Sequence, residues 1–331
     1  MKAIIYHQFG GVEVLKYEDV PKPEVGDNEV LVSVKAASLN QLDLRLRSGK
    51  SPRPVDLPHI GGVDIAGDVA EVGKGVTDVK VGTRVVVDPT VKAGETVKVV
   101  GVNLYGGFAE YVKVPAGNVV PIPDNLSYDL ACTLPICYVT AWYGLFDRGN
   151  LKPGETVLVH AAGSGTGSAA IEVAKLSGAY VVATAGTDEK LAKAKELGAD
   201  EVINYNTSDF AEEVKRITNK RGVDVIFDQI GGSVWDKNLQ SLASQGRLLL
   251  VGVVGGGTAS ANLGPIIVRD LSIVGVTVFN APRRDLEAVV KLTAQGRLRP
   301  VIDKKFPLKE TAHAQKVLED RNQFGKVILN P

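Results

Sequence analysis

Between residues 159 and 178 the chain reads VHAAGSGTGSAAIEVAKLSG, with glycines at positions 163, 165 and 167. A turn this rich in Gly and Ala can bring backbone amides close to a pyrophosphate, and the amides that open a helix stabilise its negative charge. The spacing misses the G-x-G-x-x-G fingerprint by one position, because Ser168 stands where the last glycine belongs. An ordinary turn of small residues would look similar, but the surroundings favour phosphate chemistry. The apolar run TVLVH precedes the turn and the helix-forming run SAAIEVAKLSG follows it, the strand, turn and helix that dinucleotide binding requires. Gly163, Ser164, Gly165 and Thr166 are therefore expected to contact a cofactor. Rival motifs fail: the GKS at 49–51 has Leu44 where a P-loop needs its first glycine, and Ser164 lacks the flanking glycines of a nucleophile elbow, having Ala162 and Thr166 instead.

The next strand, in YVVATAGTDEK, ends in Ala185, Gly186 and Thr187. An NAD-selective site places Asp or Glu there to accept hydrogen bonds from the ribose hydroxyls. Without that carboxylate a 2′-phosphate is not repelled, and Lys190, one helical turn onward, can neutralise it, so NADPH is the expected cofactor. Taken alone, Lys190 reads equally well as a solvated helix lysine, and the Asp188 carboxylate could reach a ribose instead.

The elements that must position these residues fall into two textures. Up to about residue 124 the chain is strand-rich, with KAIIYH, EVLVSVKAAS, IAGDVAEVG, TRVVVDP and FAEYVKVP broken by Gly, Pro and Asp. The proline-rich stretch 51–58 is expected to be irregular. After Pro123, apolar strands TVLVH, YVVAT, EVIN, VDVIFD, RLLLVG and SIVGVTV alternate with helical runs such as DEKLAKAKELG and SDFAEEVKRITN, which implies a parallel, doubly wound α/β sheet. The tail beyond residue 281 is too short to fold alone and is expected to return to the first domain. The predicted domains are residues 1–124 with 281–331, and residues 125–280. A length of 331 residues and 44% hydrophobic content suit two such cores.

Charge and cysteine content narrow the function. Lys and Arg total 38 and Asp and Glu total 38, so no global field attracts nucleic acid or anionic membrane. Small molecules are the expected partners. Two cysteines make no disulfide framework and the opening residues carry no signal-peptide pattern, which points to a cytoplasmic location. No apolar run approaches the roughly 20 residues that span a bilayer.

Together with the loop, the motifs NQLDLRLRSG, GGFAEYVKVP, LPICYVTAW, TAGTDEKLAKAKELGADEVINY and RNQFGKVIL resemble the medium-chain dehydrogenase/reductase superfamily, and within it the zinc-free quinone oxidoreductase branch. The resemblance runs nearly end to end. It implies a Rossmann domain joined to a β-rich, GroES-like catalytic domain. It also implies that Gly186, Lys190, Tyr205 and Arg321 hold the 2′-phosphate, that Asn40 and Thr140 lie near the nicotinamide ribose, and that Gly252, Val253 and the segment around Phe279 border the ring. Asn40, Asp43 and Arg47 are the implied catalytic set. Asp43 and Arg47, four apart, could pair to brace the site or form a surface ion pair.

Zinc-dependent members of the superfamily hold their metal with cysteine, histidine and a further cysteine or acid. The matching positions here are Asn40, Val63 and Ile136, none of them a good ligand, and TVKAGETVKVVGVNLYGG has no cysteine for a structural zinc lobe. Cys132, Cys137 and His59 remain, without ligand spacing; no metal is expected. Without a Lewis acid, hydride delivery to a quinone or an α,β-unsaturated carbonyl is easier than alcohol oxidation. The expected activity is a zinc-independent, NADPH-dependent reductase of such substrates. One alternative is a 2-enoyl-CoA reductase, with Arg45, Arg47, Lys50, Arg53, Arg283 and Arg284 as candidate contacts for CoA phosphates. Another is an NADPH-binding protein with a nucleic-acid-binding or structural role. Edge pairing of SIVGVTV predicts a homodimer, with a tetramer also open.

Overall fold

The computed structural model describes residues 1–331 except 52, 54 and 95. Two of those lie in the proline-rich stretch, so its expected irregularity falls partly outside the described residues. Two compact units are present: Met1–Ile136 with Leu286–Gly296 and Ile302–Pro331, and Cys137–Asp285 with Arg297–Val301.

The first unit opens with strands β1 (Lys2–Ile5), β2 (Lys16–Asp19) and β3 (Glu29–Ser38), and helix α1 (Gln41–Arg47). Then come β4 (Asp64–Val72), β5 (Arg84–Val87), β6 (Thr90–Ala93), β7 (Thr96–Val99), β8 (Tyr111–Pro115), β9 (Val119–Pro121) and the short helix α2 (Tyr128–Ala131). The β-branched runs alternate as a half-buried sheet requires: along β3, Val30, Val32 and Val34 point to one face and enter a core with Ile65, Val85, Phe108 and Val112.

In the second unit a helical stretch containing α3 (Val139–Trp142) leads into β10 (Thr156–Val159), α4 (Gly165–Leu176), β11 (Tyr180–Ala185), α5 (Asp188–Glu196) and β12 (Glu201–Asn204). There follow α6 (Phe210–Ile217), β13 (Val223–Asp228), α7 (Trp235–Ser241), β14 (Leu242–Leu250), α8 (Leu263–Val268) and β15 (Ser272–Gly275). The six strands form a wholly parallel sheet in the order β12-β11-β10-β13-β14-β15. Counted from β10, that order is 3-2-1-4-5-6, the doubly wound arrangement the alternating texture predicts. Its reversal falls between β10 and β13, the point where doubly wound sheets bind their ligands in a crevice at the strands' carboxyl ends.

Helix α9 (Arg283–Ala294), β16 (Ile302–Pro307), α10 (Thr311–Glu319) and β17 (Lys326–Asn330) complete the chain. Strand β17 pairs antiparallel with β3 and carries β16 beside it, giving a seven-stranded sheet in the first unit. Among the described residues, no helix is long and apolar enough to cross a membrane.

Candidate functional site

In the second unit the glycine-rich turn lies between β10 and α4, on the crevice side of the sheet. Its left-handed residue is Ala161, at φ 53°, and not one of the glycines. Gly167 serves close approach: a Cβ there would lie 2.2 Å from the Ala161 carbonyl oxygen, so only glycine lets α4 sit against the turn. Ser164 is the N-cap of α4, its Oγ accepting the Gly167 N–H at 2.9 Å. Among the described residues no acceptor takes the amides of Gly163, Gly165 or Thr166, which leaves three donors at a helix N-terminus for an anion. Thr166 donates its hydroxyl to Cys137 Sγ at 3.4 Å, and α3, which carries the buried Thr140, packs against α4.

At the end of β11 two of the expected phosphate-binding residues, Gly186 and Tyr205, come together, and a third, Lys190, lies against the glycine-rich turn. The Lys190 side chain lies over the turn, where a Cβ on Gly163 would meet its Cδ at 2.8 Å. Gly186 forms a cradle with Tyr205 and Asn206: a Cβ there would sit 2.7 Å from Tyr205 Oη and 3.1 Å from Asn206 Nδ2. Asn206 Nδ2 also donates to the Gly186 carbonyl at 2.8 Å. The Asp188 carboxylate accepts from Asn204 Nδ2 at 2.8 Å, on the β12 side.

Beneath the crevice runs a buried polar chain. Asp228, at the end of β13, accepts the Ile230 N–H at 2.7 Å and Asn238 Nδ2 at 3.0 Å. That fixes the Asn238 amide, so its Oδ1 faces His160 Nε2 at 2.7 Å and the histidine proton sits on Nε2. Nδ1 then accepts the Thr184 hydroxyl at 3.0 Å. Burial lowers the His160 pKa, in keeping with a neutral ring. Gly252 and Val253 lie on the segment leaving β14, which follows the end of β13 through Val251 N–H to Asp228 O at 2.8 Å and Val254 N–H to Gln229 O at 3.2 Å. Phe279 is buried in the turn Val278–Asn280.

The first unit holds the other expected residues. Asn40 caps α1 in a reciprocal capping box with Asp43. Its Nδ2 donates to Asp64 Oδ2 at 2.8 Å, and its Oδ1 accepts from Lys326 Nζ, also at 2.8 Å. Asp64 and Lys326 are themselves an ion pair at 3.0 Å, with side chains 0% and 4% exposed. The Asp64 carboxylate also accepts Ser38 Oγ at 2.8 Å and the Ile136 N–H at 2.9 Å.

Here the sequence reading needs correction, because the expected pairing of Asp43 with Arg47 does not form. Both residues are buried, which rules out a surface ion pair. Asp43 spends its carboxylate on the Asn40 and Gly62 amides, and burial pushes its pKa up to about 7. Arg47 instead clamps α10, donating to Gln315 and Glu319, and this commitment also removes it from the candidate CoA contacts. These two implied catalytic residues are thus placed as internal braces. Arg321 follows α10 in a left-handed conformation, φ 55°. His59 is buried with its Nε2 against the Gly101 carbonyl at 3.1 Å, and both cysteines are buried.

Two family models match the chain: an alcohol dehydrogenase GroES-like domain over residues 26–124 and a zinc-binding dehydrogenase model over residues 165–295. Over 335 aligned residues the chain is 31% identical to the quinone oxidoreductase of Pongo abelii, covering 99% of this chain and 97% of that relative. The chain belongs to the medium-chain dehydrogenase/reductase superfamily. Within it, this is a quinone oxidoreductase-like member and an oxidoreductase. Among solved structures, an NAD-dependent alcohol dehydrogenase is 38% identical with a TM-score of 0.95, the match covering 100% of both chains. Escherichia coli quinone oxidoreductase complexed with NADPH is 30% identical with a TM-score of 0.89, again over 100% of both chains.

Sequence reasoning singled out the turn, Gly186, Lys190 and Tyr205, and did not name Asn206, Gln229, Asp64 or Lys326, which the structure places beside Gly186, Ser164 and Asn40. Asn206 could have been found from its place beside Tyr205. No local signal marks the others, whose partners lie far along the chain: Lys326 is 262 residues from Asp64.

Proposed function

We infer that the protein is a zinc-independent, NADPH-dependent reductase of quinones or α,β-unsaturated carbonyl compounds. The observation that carries the cofactor reading is the cradle at Gly186, with Lys190 against the adjoining turn, Tyr205 and Asn206 beside it, and the Asp188 carboxylate drawn off to Asn204. A dianionic 2′-phosphate there meets a cation, a hydroxyl and an amide, with the Asp188 carboxylate turned to Asn204. The amides of Gly163, Gly165 and Thr166 would hold the pyrophosphate; Gly252 and Val253 would line the nicotinamide end; Asn40, Thr140 and Arg321 complete the expected set. When bound, the reduced nicotinamide supplies the hydride. The residues of this chain supply orientation and electrostatics, and the buried Thr184–His160–Asn238–Asp228 chain keeps the floor of the crevice rigid.

The residues at the zinc-ligand positions do not fit a catalytic metal. Asn40 is held between a carboxylate and an ammonium, Val63 and Ile136 are aliphatic, and the Lys326 cation 2.8 Å from Asn40 Oδ1 would repel a second cation. This supports reduction of an already electron-poor double bond over alcohol oxidation.

The homodimer reading is supported by the open edge of the second unit's sheet. Strand β15 is terminal and exposes Ile273, while the neighbouring α8 exposes Leu263, Ile267 and Val268 at 62%, 77% and 85%. Light scattering should give twice the chain mass, and Val268→Asp should lower it to a monomer; a monomeric parent protein would refute the reading.

The deciding experiment titrates NADPH and NADH by fluorescence, then follows oxidation of the preferred cofactor with quinones, enones and aldehydes, with and without a chelator. Tighter binding of NADPH and chelator-insensitive turnover of quinone or enone are expected. A preference for NADH, or inactivation by the chelator, would overturn the respective half of the proposal.

A further inference from the structure

We propose that Gln229 is a positioning residue for the cofactor turn, acting through the hydroxyl of Ser164. The proposal rests on the reading of residues 161–167 as the pyrophosphate turn. Strands β10 and β13 are neighbours where the sheet order reverses, and the loops leaving their carboxyl ends carry Ser164 and Gln229. Ser164 Oγ lies between two partners, accepting the Gly167 N–H at 2.9 Å and donating to Gln229 Oε1 at 3.0 Å. A hydroxyl has one hydrogen, so giving it to Gln229 turns the lone pairs toward Gly167.

The carboxamide of Gln229 is itself oriented. Its Nε2 donates to the His160 carbonyl at 3.0 Å, which obliges Oε1 to face Ser164. His160 is in turn fixed through its backbone N–H to Phe227 O at 3.1 Å and through both ring nitrogens. The lock therefore ends on a rigid strand end.

Without that acceptor the Ser164 side chain has three staggered rotamers. Those that leave Gly167 uncap α4. Gln229 opposes this by holding the rotamer that caps Gly167. Because the effect passes through the hydroxyl, it depends on serine: with glycine at position 164 there is nothing for the carboxamide to hold. Residue 229 also touches the far side of the crevice, since its carbonyl accepts the Val254 N–H at 3.2 Å and a Cβ on Gly252 would lie 2.9 Å from the same oxygen. Those contacts are backbone, so they survive side-chain replacement and do not confuse the test.

The experiment compares the parent protein, Gln229→Leu, Ser164→Gly and the double variant. Amide exchange at Gly167 is read without cofactor, and the Kd for NADPH is read by fluorescence. Gln229→Leu should speed exchange at Gly167 and raise the Kd about fivefold, the loss expected for one hydrogen bond. In the Ser164→Gly background the same replacement should change neither quantity. Ser164→Ala, which leaves Gln229 intact, should also speed exchange at Gly167 because it removes the cap itself, and Gln229→Met, which keeps the chain length without the carboxamide, serves in place of Gln229→Leu if the latter does not fold. Equal effects of Gln229→Leu in both backgrounds, or parental exchange at Gly167 in Gln229→Leu or Ser164→Ala, would overturn the proposal. If the parent binds no dinucleotide, the functional reading fails, while the exchange measurements still decide whether Gln229 acts through Ser164.

Discussion

Replacing Lys326 with methionine removes the ammonium from an ion pair that is almost wholly inside the first unit. Asp64 then keeps three donors, the Ile136 N–H, Ser38 Oγ and Asn40 Nδ2, but loses the cation at 3.0 Å. Removing one member of a buried pair costs about 3–5 kcal/mol, because the other is left as an uncompensated charge. The three retained donors put the expected loss near the lower figure, about 3 kcal/mol. In a domain of this size each kcal/mol moves the midpoint by about 2–4 °C, so the first unit should melt roughly 6–12 °C lower. Scanning calorimetry measures this directly. The double variant Asp64→Asn/Lys326→Met, in which neither charge remains, should recover most of the loss. A single variant that melts within about 2 °C of the parent, or a double variant no better than the single, would refute the reasoning that a stranded carboxylate sets the cost.

Further outcomes follow from the same geometry. Gly186→Asp would fill the cradle, its Cβ lying 2.7 Å from Tyr205 Oη, and add a negative charge; the Kd for NADPH should rise at least about tenfold with NADH much less affected, and an unchanged ratio in fluorescence titration would count against the site. Burial raises the Asp43 pKa from 3.8 to about 7, so between those values the native state holds a proton that the unfolded state has released. That contribution is fully present below about pH 4 and is lost as the pH climbs through 7; urea midpoints at several pH values should show a shallower decline for Asp43→Asn, and identical slopes would exclude the effect. Tyr6 is 3% exposed and its hydroxyl has no partner among the described residues, so Tyr6→Phe should be neutral or stabilising by up to about 1 kcal/mol, whereas a loss beyond that would mean the hydroxyl is satisfied.

The second unit was the more legible of the two. Its strands are short apolar runs punctuated by Gly and Asp, and strict alternation with helices leaves few topologies once crossovers are right-handed. Even there the edges were misjudged: SIVGVTV gives only the four residues of β15, because a terminal strand has one neighbour to extend its ladder, while β14 begins at Leu242, before RLLLVG. The stretch from residue 134 to 148 was harder to read. Pro135 lies in a wide helical turn, Leu134–Tyr138, and a second, Tyr143–Arg148, follows α3, so the 3.6-residue period is not maintained. In the site, residues near one another along the chain could be anticipated, as Lys190 and Gly186 were. Spacing misled at Asp43 and Arg47, where four residues along a helix suggested a pair, yet the arginine finds Gln315 from 268 residues away. Polar groups choose partners by what surrounds them once folded, and a single sequence does not print those choices.

The left-handed backbone at Ala161 has a consequence for recognition. A methyl-bearing residue enters that conformation reluctantly, and it persists only when its neighbours hold it there, as the Ser164 N–H to the Ala161 carbonyl at 2.9 Å and the Ala162 N–H to the Thr184 carbonyl at 2.9 Å do. Those two bonds, and not the residue's own preference, hold the loop in its receiving shape, since alanine at a positive φ is strained where glycine would not be. Association then sacrifices little disorder, and the grip can be firm without the loop having to close.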